Sequence, residues 1–165
     1  AQSLYMFIAI AYALKTPRHI IPDGDKFLYG VDLMLLFKLK NMDEPLEYLG
    51  PVSAKVGNRH TFCIQKDDVT GLYFMMHNEE GPHNIGRRSM LSLSVSKDLI
   101  NWDKVTTLFD VTDVSRNSTV SQPYFIFDGD DILYLSRTAW GNTKSEHDNN
   151  MATLHRIKNF RNLVK

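Results

Sequence analysis

The sequence holds a single cysteine, no excess of either charge and no apolar run of membrane-spanning length. Each shortage excludes something. Cys63 cannot build an internal disulfide framework and lacks the neighbours that a zinc knuckle needs, so it reads as a buried apolar residue. Nineteen Lys and Arg against nineteen Asp and Glu give a formal net charge of zero. Nucleic acid and other polyanions, which call for a basic excess or stripe, are therefore not expected partners. The opening stretch AQSLYMFIAIAYAL (1–14) has no basic residues before it, and Tyr5 and Tyr12 interrupt it. It also falls short of the ~20 apolar residues of a spanning helix, so membrane insertion is not expected. It reads as a buried strand on which the chain starts abruptly, as a piece of a longer protein would.

A helical apolar period is also lacking: no segment keeps one over the ~10 to 12 residues that a helix requires. What is present is a series of short runs rich in Tyr, Phe, Ile, Leu and Val, bounded by Gly, Asp, Asn or Pro. They predict strands over 3–13, 26–39, 46–52, 60–65, 71–77, 88–95, 103–109, 122–127, 131–138 and 150–157. Asp67 to Gly71 and Asp128-Gly129-Asp130 supply the turn chemistry of tight hairpins.

Three stretches share one plan. LMLLFKLKNM (33–42), MLSLSVSKDL (90–99) and MATLHRIKNF (151–160) each run from apolar residues into Lys and then Asn or Asp. The lysines are Lys40, Lys97 and Lys158, at intervals of 57 and 61 residues. Ser96 could cap a helix, but a strand and turn recurring at near-constant spacing is better explained by a structural repeat. Four short strands per repeat of about 60 residues predict an all-β fold, a β-propeller of four-stranded antiparallel blades. The chain would hold about two and a half blades of a larger propeller. Residues 1–53 lack the first strand of a blade, 54–110 form a complete blade, and 111–165 lack the last strand. The remaining blades of the same protein, or other copies, would close the ring.

The turn Ser96-Lys97-Asp98-Leu99-Ile100-Asn101-Trp102 resembles the S-x-D-L-x-x-W turn of five-bladed propeller glycoside hydrolases, a shortened relative of the sialidase Asp box. FDGDDILYLSRTAW (127–140) and HDNNMATLHRIKNF (147–160) resemble sialidase-like, BNR-repeat propeller proteins. LEYLGPV (46–52), Gly57-Asn58-Arg59-His60 and DDVTGLYF (67–74) fit the preceding blade of that group. The resemblance implies a carbohydrate or glycoconjugate partner, a sialidase-like hydrolase or recognition activity on a terminal sugar, no cofactor, and an extracellular or periplasmic location. The chain departs from the pattern in two places. His147-Asp148-Asn149-Asn150 replaces a small residue after the His-Asp pair, and Ser121-Gln122-Pro123-Tyr124 has no carboxylate where relatives often carry one.

Propeller strand order puts the connections 14–25, 53–59, 78–87, 110–121 and 139–149 on one face, where the resemblance also places the site. Glycoside cleavage uses two carboxylates about 5 to 9.5 Å apart. Asp148 with Glu79 or Glu80 are the catalytic candidates, coming from adjacent blades; solvated loop carboxylates are the plain alternative for both glutamates. An arginine can grip a substrate carboxylate with two hydrogen bonds. Arg137, Arg59 and Arg18, with His147, His83 and Trp140, are the substrate-binding candidates. Arg137 could equally anchor its strand to a neighbouring blade. No metal site is expected: Asp128, Asp130 and Asp131 read as hairpin residues, and His147 with His155 lacks a zinc spacing. Trp102 reads as core. Two other functions remain open, a non-catalytic carbohydrate-binding propeller and a scaffold for protein partners.

Overall fold

The computed structural model of the chain describes residues 4–10, 33–39, 43–52, 62–79, 90–110, 119–139 and 150–165. They form an all-β structure of antiparallel sheets. The chain divides into two compact units, Ala1–Val52 and Ser53–Lys165.

The first unit holds one three-stranded sheet, β1 (Leu4–Ile10), β2 (Leu33–Leu39) and β3 (Glu47–Pro51), in sequence order. Phe37 pairs with Tyr48 across β2 and β3, and their rings lie 5.3 Å apart. A register shift beside Leu36 bends this pair of strands, with Gly50 at φ 124.

The second unit holds two sheets. The first is a four-stranded meander of β4 (Phe62–Lys66), β5 (Tyr73–Glu79), β6 (Met90–Ser96) and β7 (Asp103–Asp110). The second is a three-stranded meander of β8 (Thr119–Asp128), β9 (Asp131–Ala139) and β10 (Asn150–Ile157), followed by a 3-10 helix over Phe160–Val164. Alternation along the strands sorts the side chains into faces, since successive residues point to opposite sides of a sheet. Phe74 and Met76 of β5 and Leu91 and Leu93 of β6 meet Val120 and Phe125 of β8 and Ile132 and Tyr134 of β9 in one core. Phe160 closes that core from the 3-10 helix, edge-on to Phe74 at 5.1 Å and stacked on Phe127 at 5.0 Å. Each such aromatic, fully buried, contributes roughly 1.5 to 3 kcal/mol by leaving water.

The turns expected from the sequence have their chemistry in place. In the SKDLINW turn the Ser96 hydroxyl accepts hydrogen bonds from the backbone N–H groups of Asp98 and Leu99. The Asp98 carboxylate accepts from the backbone of Ile100 and Asn101 and from the Asn101 amide. The Asn101 side-chain amide first, then its backbone N–H, holds the Asp98 carboxyl at a pKa of about 2. Leu99 sits in the left-handed region at φ 67 with its side chain buried, and its carbonyl accepts from the Trp102 indole N–H. Trp102 is a core residue, as expected. β8 and β9 are joined by the two-residue loop Gly129-Asp130, with Gly129 at φ 62. An alanine there meets nothing within 4 Å, so its cost is conformational alone. Gly129→Ala is expected to lower stability by about 1 kcal/mol, read as a shifted urea midpoint at unchanged slope. An unshifted midpoint would rule out the left-handed requirement.

Three expectations need correction. β8 starts at Thr119, not near Gln122: Pro123, which has no N–H to donate, is accommodated by a bulge between Ser121 and Tyr124, with Gln122 at φ 50. The segment after Lys158 does more than turn: Asn159 at φ 51 starts the 3-10 helix, whose first residue is core. Cys63 is half-buried against the core rather than buried in it.

Candidate functional site

The two ends of the second unit differ in chemistry, and the strand pairing defines them. At one end stand the hairpin turns 67–72, 97–102 and 129–130, with the 3-10 helix. Asp67 organises this end. Its carboxylate accepts hydrogen bonds from the Thr70 N–H and hydroxyl, and its backbone pairs with Leu72 and Gly71. Arg161 grips the same carboxylate with two bonds, Nε to Oδ2 at 2.9 Å and Nη2 to Oδ1 at 2.6 Å. The Arg161 Nη1 also reaches Asp130 and the Gly129 carbonyl, and its guanidinium lies over the Phe160 ring. Asp67 is only 2% exposed, and the Arg161 hydrogen bonds hold its pKa at about 2 in spite of burial. Arg156 bridges Asp128 and Asp131, whose carboxylate also accepts from the Asn159 N–H. The Asn159 N–H first, then Arg156, lowers the Asp131 pKa.

These acids are therefore committed to neighbouring guanidinium and amide groups. Among the described residues no group of three or more His, Cys, Asp or Glu could hold a metal ion.

At the other end, Glu79 pairs with Met90, Met90 with Asp110, and Ala139 with both Thr119 and Asn150. From these strand ends depart the connections 80–89, 111–118 and 140–149. Asn78 ties the two sheets together here, donating its side-chain amide to the carbonyls of Val120 and Met90. The interface between the sheets also changes along its length. Near the hairpins it is aromatic, and towards the connections it becomes hydroxyl-lined. Ser136 and Thr153 share a hydrogen bond at 3.1 Å, Thr138 donates to the Met151 carbonyl, and His155 Nε2 lies 2.8 Å from the Thr153 hydroxyl. His155 stacks on Tyr134 at 4.8 Å; burial lowers the histidine pKa and pushes the tyrosine up to about 12. On the opposite face of the four-stranded sheet, His77 Nε2 and the Ser94 hydroxyl are 2.9 Å apart and both groups are fully buried.

Of the candidate site residues, Arg137 is described in full: it lies on β9 between Ser121 and Ala152, half-buried, at the connection end. Glu79 is the last residue of β5 rather than part of a loop. Arg18, Arg59, Glu80, His83, Trp140, His147 and Asp148 lie outside the described residues. Sequence reasoning did not single out Asn78 or Arg161; an amide continuing the inward alternation of Phe74 and Met76 was the available signal for the first. No family model and no curated protein matches the chain.

Proposed function

We propose that the chain is part of a sialidase-like β-propeller that cleaves or recognises a terminal sugar of a glycoconjugate outside the cytoplasm, in an extracellular or periplasmic setting. The supporting observation is that three antiparallel meanders follow one another at the repeat spacing. In the second unit, the connections rich in acids, histidines and arginines depart from a single polar end. In this reading Asp148, with Glu79 or Glu80, supplies the carboxylates of glycoside cleavage. Arg137, Arg59 and Arg18 face the anionic part of the sugar, and His147, His83 and Trp140 complete the site. The missing blades come from the same protein or from other copies.

One observation favours a non-catalytic, sugar-binding version. Of the described side chains at the connection ends of β8 and β9, Gln122 is exposed and Arg137 half-buried; both can hydrogen-bond a sugar but neither offers a carboxylate. Hydrolysis of a fluorogenic sialoside and a small glycoside panel, with calorimetric binding of the same sugars, separates the two. For an enzyme, Asp148→Ala lowers turnover by about a hundredfold or more while binding persists. For a binding module, no substrate turns over and Arg137→Ala weakens binding roughly tenfold. Neither turnover nor binding of any sugar in the panel overturns both.

A further inference from the structure

Among the described residues three non-glycine residues lie in the left-handed region: Leu99 at φ 67, Asn159 at φ 51 and Gln122 at φ 50. A Cβ makes this conformation unfavourable, so a residue held in it answers to a demand of the fold or of function. The fold accounts for two of the three. Leu99 buries its side chain, and its N–H is fixed by the Ser96 hydroxyl of its turn. Asparagine tolerates the region, and the Asn159 N–H is bonded to the Asp131 carboxylate where the 3-10 helix starts. Gln122 is different. Glutamine has no such tolerance, the proline that follows favours extended backbone before it, and the side chain is exposed between buried Ser121 and Pro123.

The bulge in β8 decides where that side chain goes. Successive strand residues alternate in face, so Gln122, two residues after the core residue Val120, would face the core in a regular strand. Ser121 pairs with Arg137 and Tyr124 with Leu135, so Gln122 and Pro123 together stand opposite Ser136 alone, and the core face resumes at Phe125. The amide is thereby taken off the core face and exposed at the connection end, one residue from the position paired with Arg137. β8 is also an edge strand, paired only with β9 among the described residues. Bulges recur beside sites because they re-aim a side chain, and a left-handed first residue in one is ordinarily glycine. Here an amide stands where the backbone favours no side chain.

We propose that Gln122 is a sugar-contacting residue of the site at the connection end, and that its amide takes an adjacent pair of hydroxyls on the terminal sugar. A primary amide offers two N–H donors and an accepting oxygen, which suits neutral hydroxyls as Arg137 suits an anionic group. Gln122 has this role only if the connection end binds a sugar, as proposed above.

Calorimetric titration with the sialoside and glycoside panel, paired with urea unfolding, tests the role on the full chain. Gln122→Ala removes the amide, and Gln122→Gly removes the amide and the Cβ. Both variants are expected to bind the tightest sugar of the panel about tenfold more weakly than wild type. Gln122→Gly is expected to unfold at a higher urea midpoint than Gln122→Ala and no lower than wild type, at unchanged slope. Far-UV circular dichroism checks that both fold. If wild type binds a sugar and both variants bind it equally well, the role of Gln122 is overturned while the sugar site stands. If wild type binds none of the panel, the sugar site falls and the role of Gln122 with it. A glycine variant less stable than wild type would show that the Gln122 side chain serves the fold, and would overturn the proposal as well.

Discussion

Phe160→Ala lowers the stability of the chain by about 4 kcal/mol, the cost of emptying an aromatic site in a packed core. Phe160 is fully buried, stacked on Phe127 and edge-on to Phe74, and its ring carries the Arg161 guanidinium at 4.6 Å. Truncation therefore opens a cavity between the two sheets and loosens the clamp on Asp67 together. Urea unfolding followed by tryptophan fluorescence measures the loss, with Trp102 in the core of the same unit as the reporter. Phe160→Leu keeps most of the volume and is expected to lose less than half as much. Leu163→Ala, at a half-exposed position of the same helix, stays within about 0.5 kcal/mol of wild type. A loss below about 1 kcal/mol for Phe160→Ala would show that the helix is not part of the core.

Arg161→Ala costs about 3 kcal/mol at neutral pH, because it leaves the buried Asp67 carboxylate without its guanidinium. The pH dependence has a definite sign. The folded pKa of Asp67, about 2, lies below the ordinary value of 3.8, so its ionised form stabilises the fold above about pH 4. That contribution, about 2 kcal/mol, is lost as pH falls from about 4 through 2. In Arg161→Ala the desolvated carboxyl titrates higher, and the acid loss over that window disappears. The stability difference between wild type and variant should therefore shrink as urea titrations move from neutral pH towards pH 3. A difference constant across that range would mean that Arg161 acts by packing and not by charge. The Arg156 pairs with Asp128 and Asp131 are far more exposed and are expected to contribute little.

The contrast between strands and connections explains what the sequence made legible. The ten strands among the described residues were readable, because alternation of Tyr, Phe, Leu and Ile between polar residues has one physical meaning on a half-buried sheet. The SKDLINW turn was readable for the same kind of reason, since Ser and Asp at fixed offsets satisfy nearby backbone donors. The strand expected from Gln122 begins at Thr119, and the bulge between Ser121 and Tyr124 breaks the alternation by which its first residues could be recognised. Phe160 was hidden in the repeat: Asn159-Phe160 follows Lys158 as Asp98-Leu99 follows Lys97, and only packing shows that the aromatic turns inward. For the candidate site, local rules end where the strands end. Arg137 was placeable because it sits within a paired strand, whereas Glu79, read as part of a connection, is the last residue of β5. Asp148, His147 and the others lie in connections rich in Gly, Asn and Pro, where no periodicity fixes which side chains converge.

The Asp67 to Arg161 clamp spans ninety-four residues of chain, while among the described residues of its unit strands pair with their neighbours in sequence. Hairpins made of neighbouring strands close cheaply and early, whereas a contact across so long a loop is reached only after both sheets exist. The clamp is thus expected to fasten late, after the folding barrier is crossed, which the folding and unfolding rates of Arg161→Ala would show. Its strength would then set how long the folded second unit persists, and Arg161→Ala is expected to raise the unfolding rate and leave the folding rate nearly unchanged.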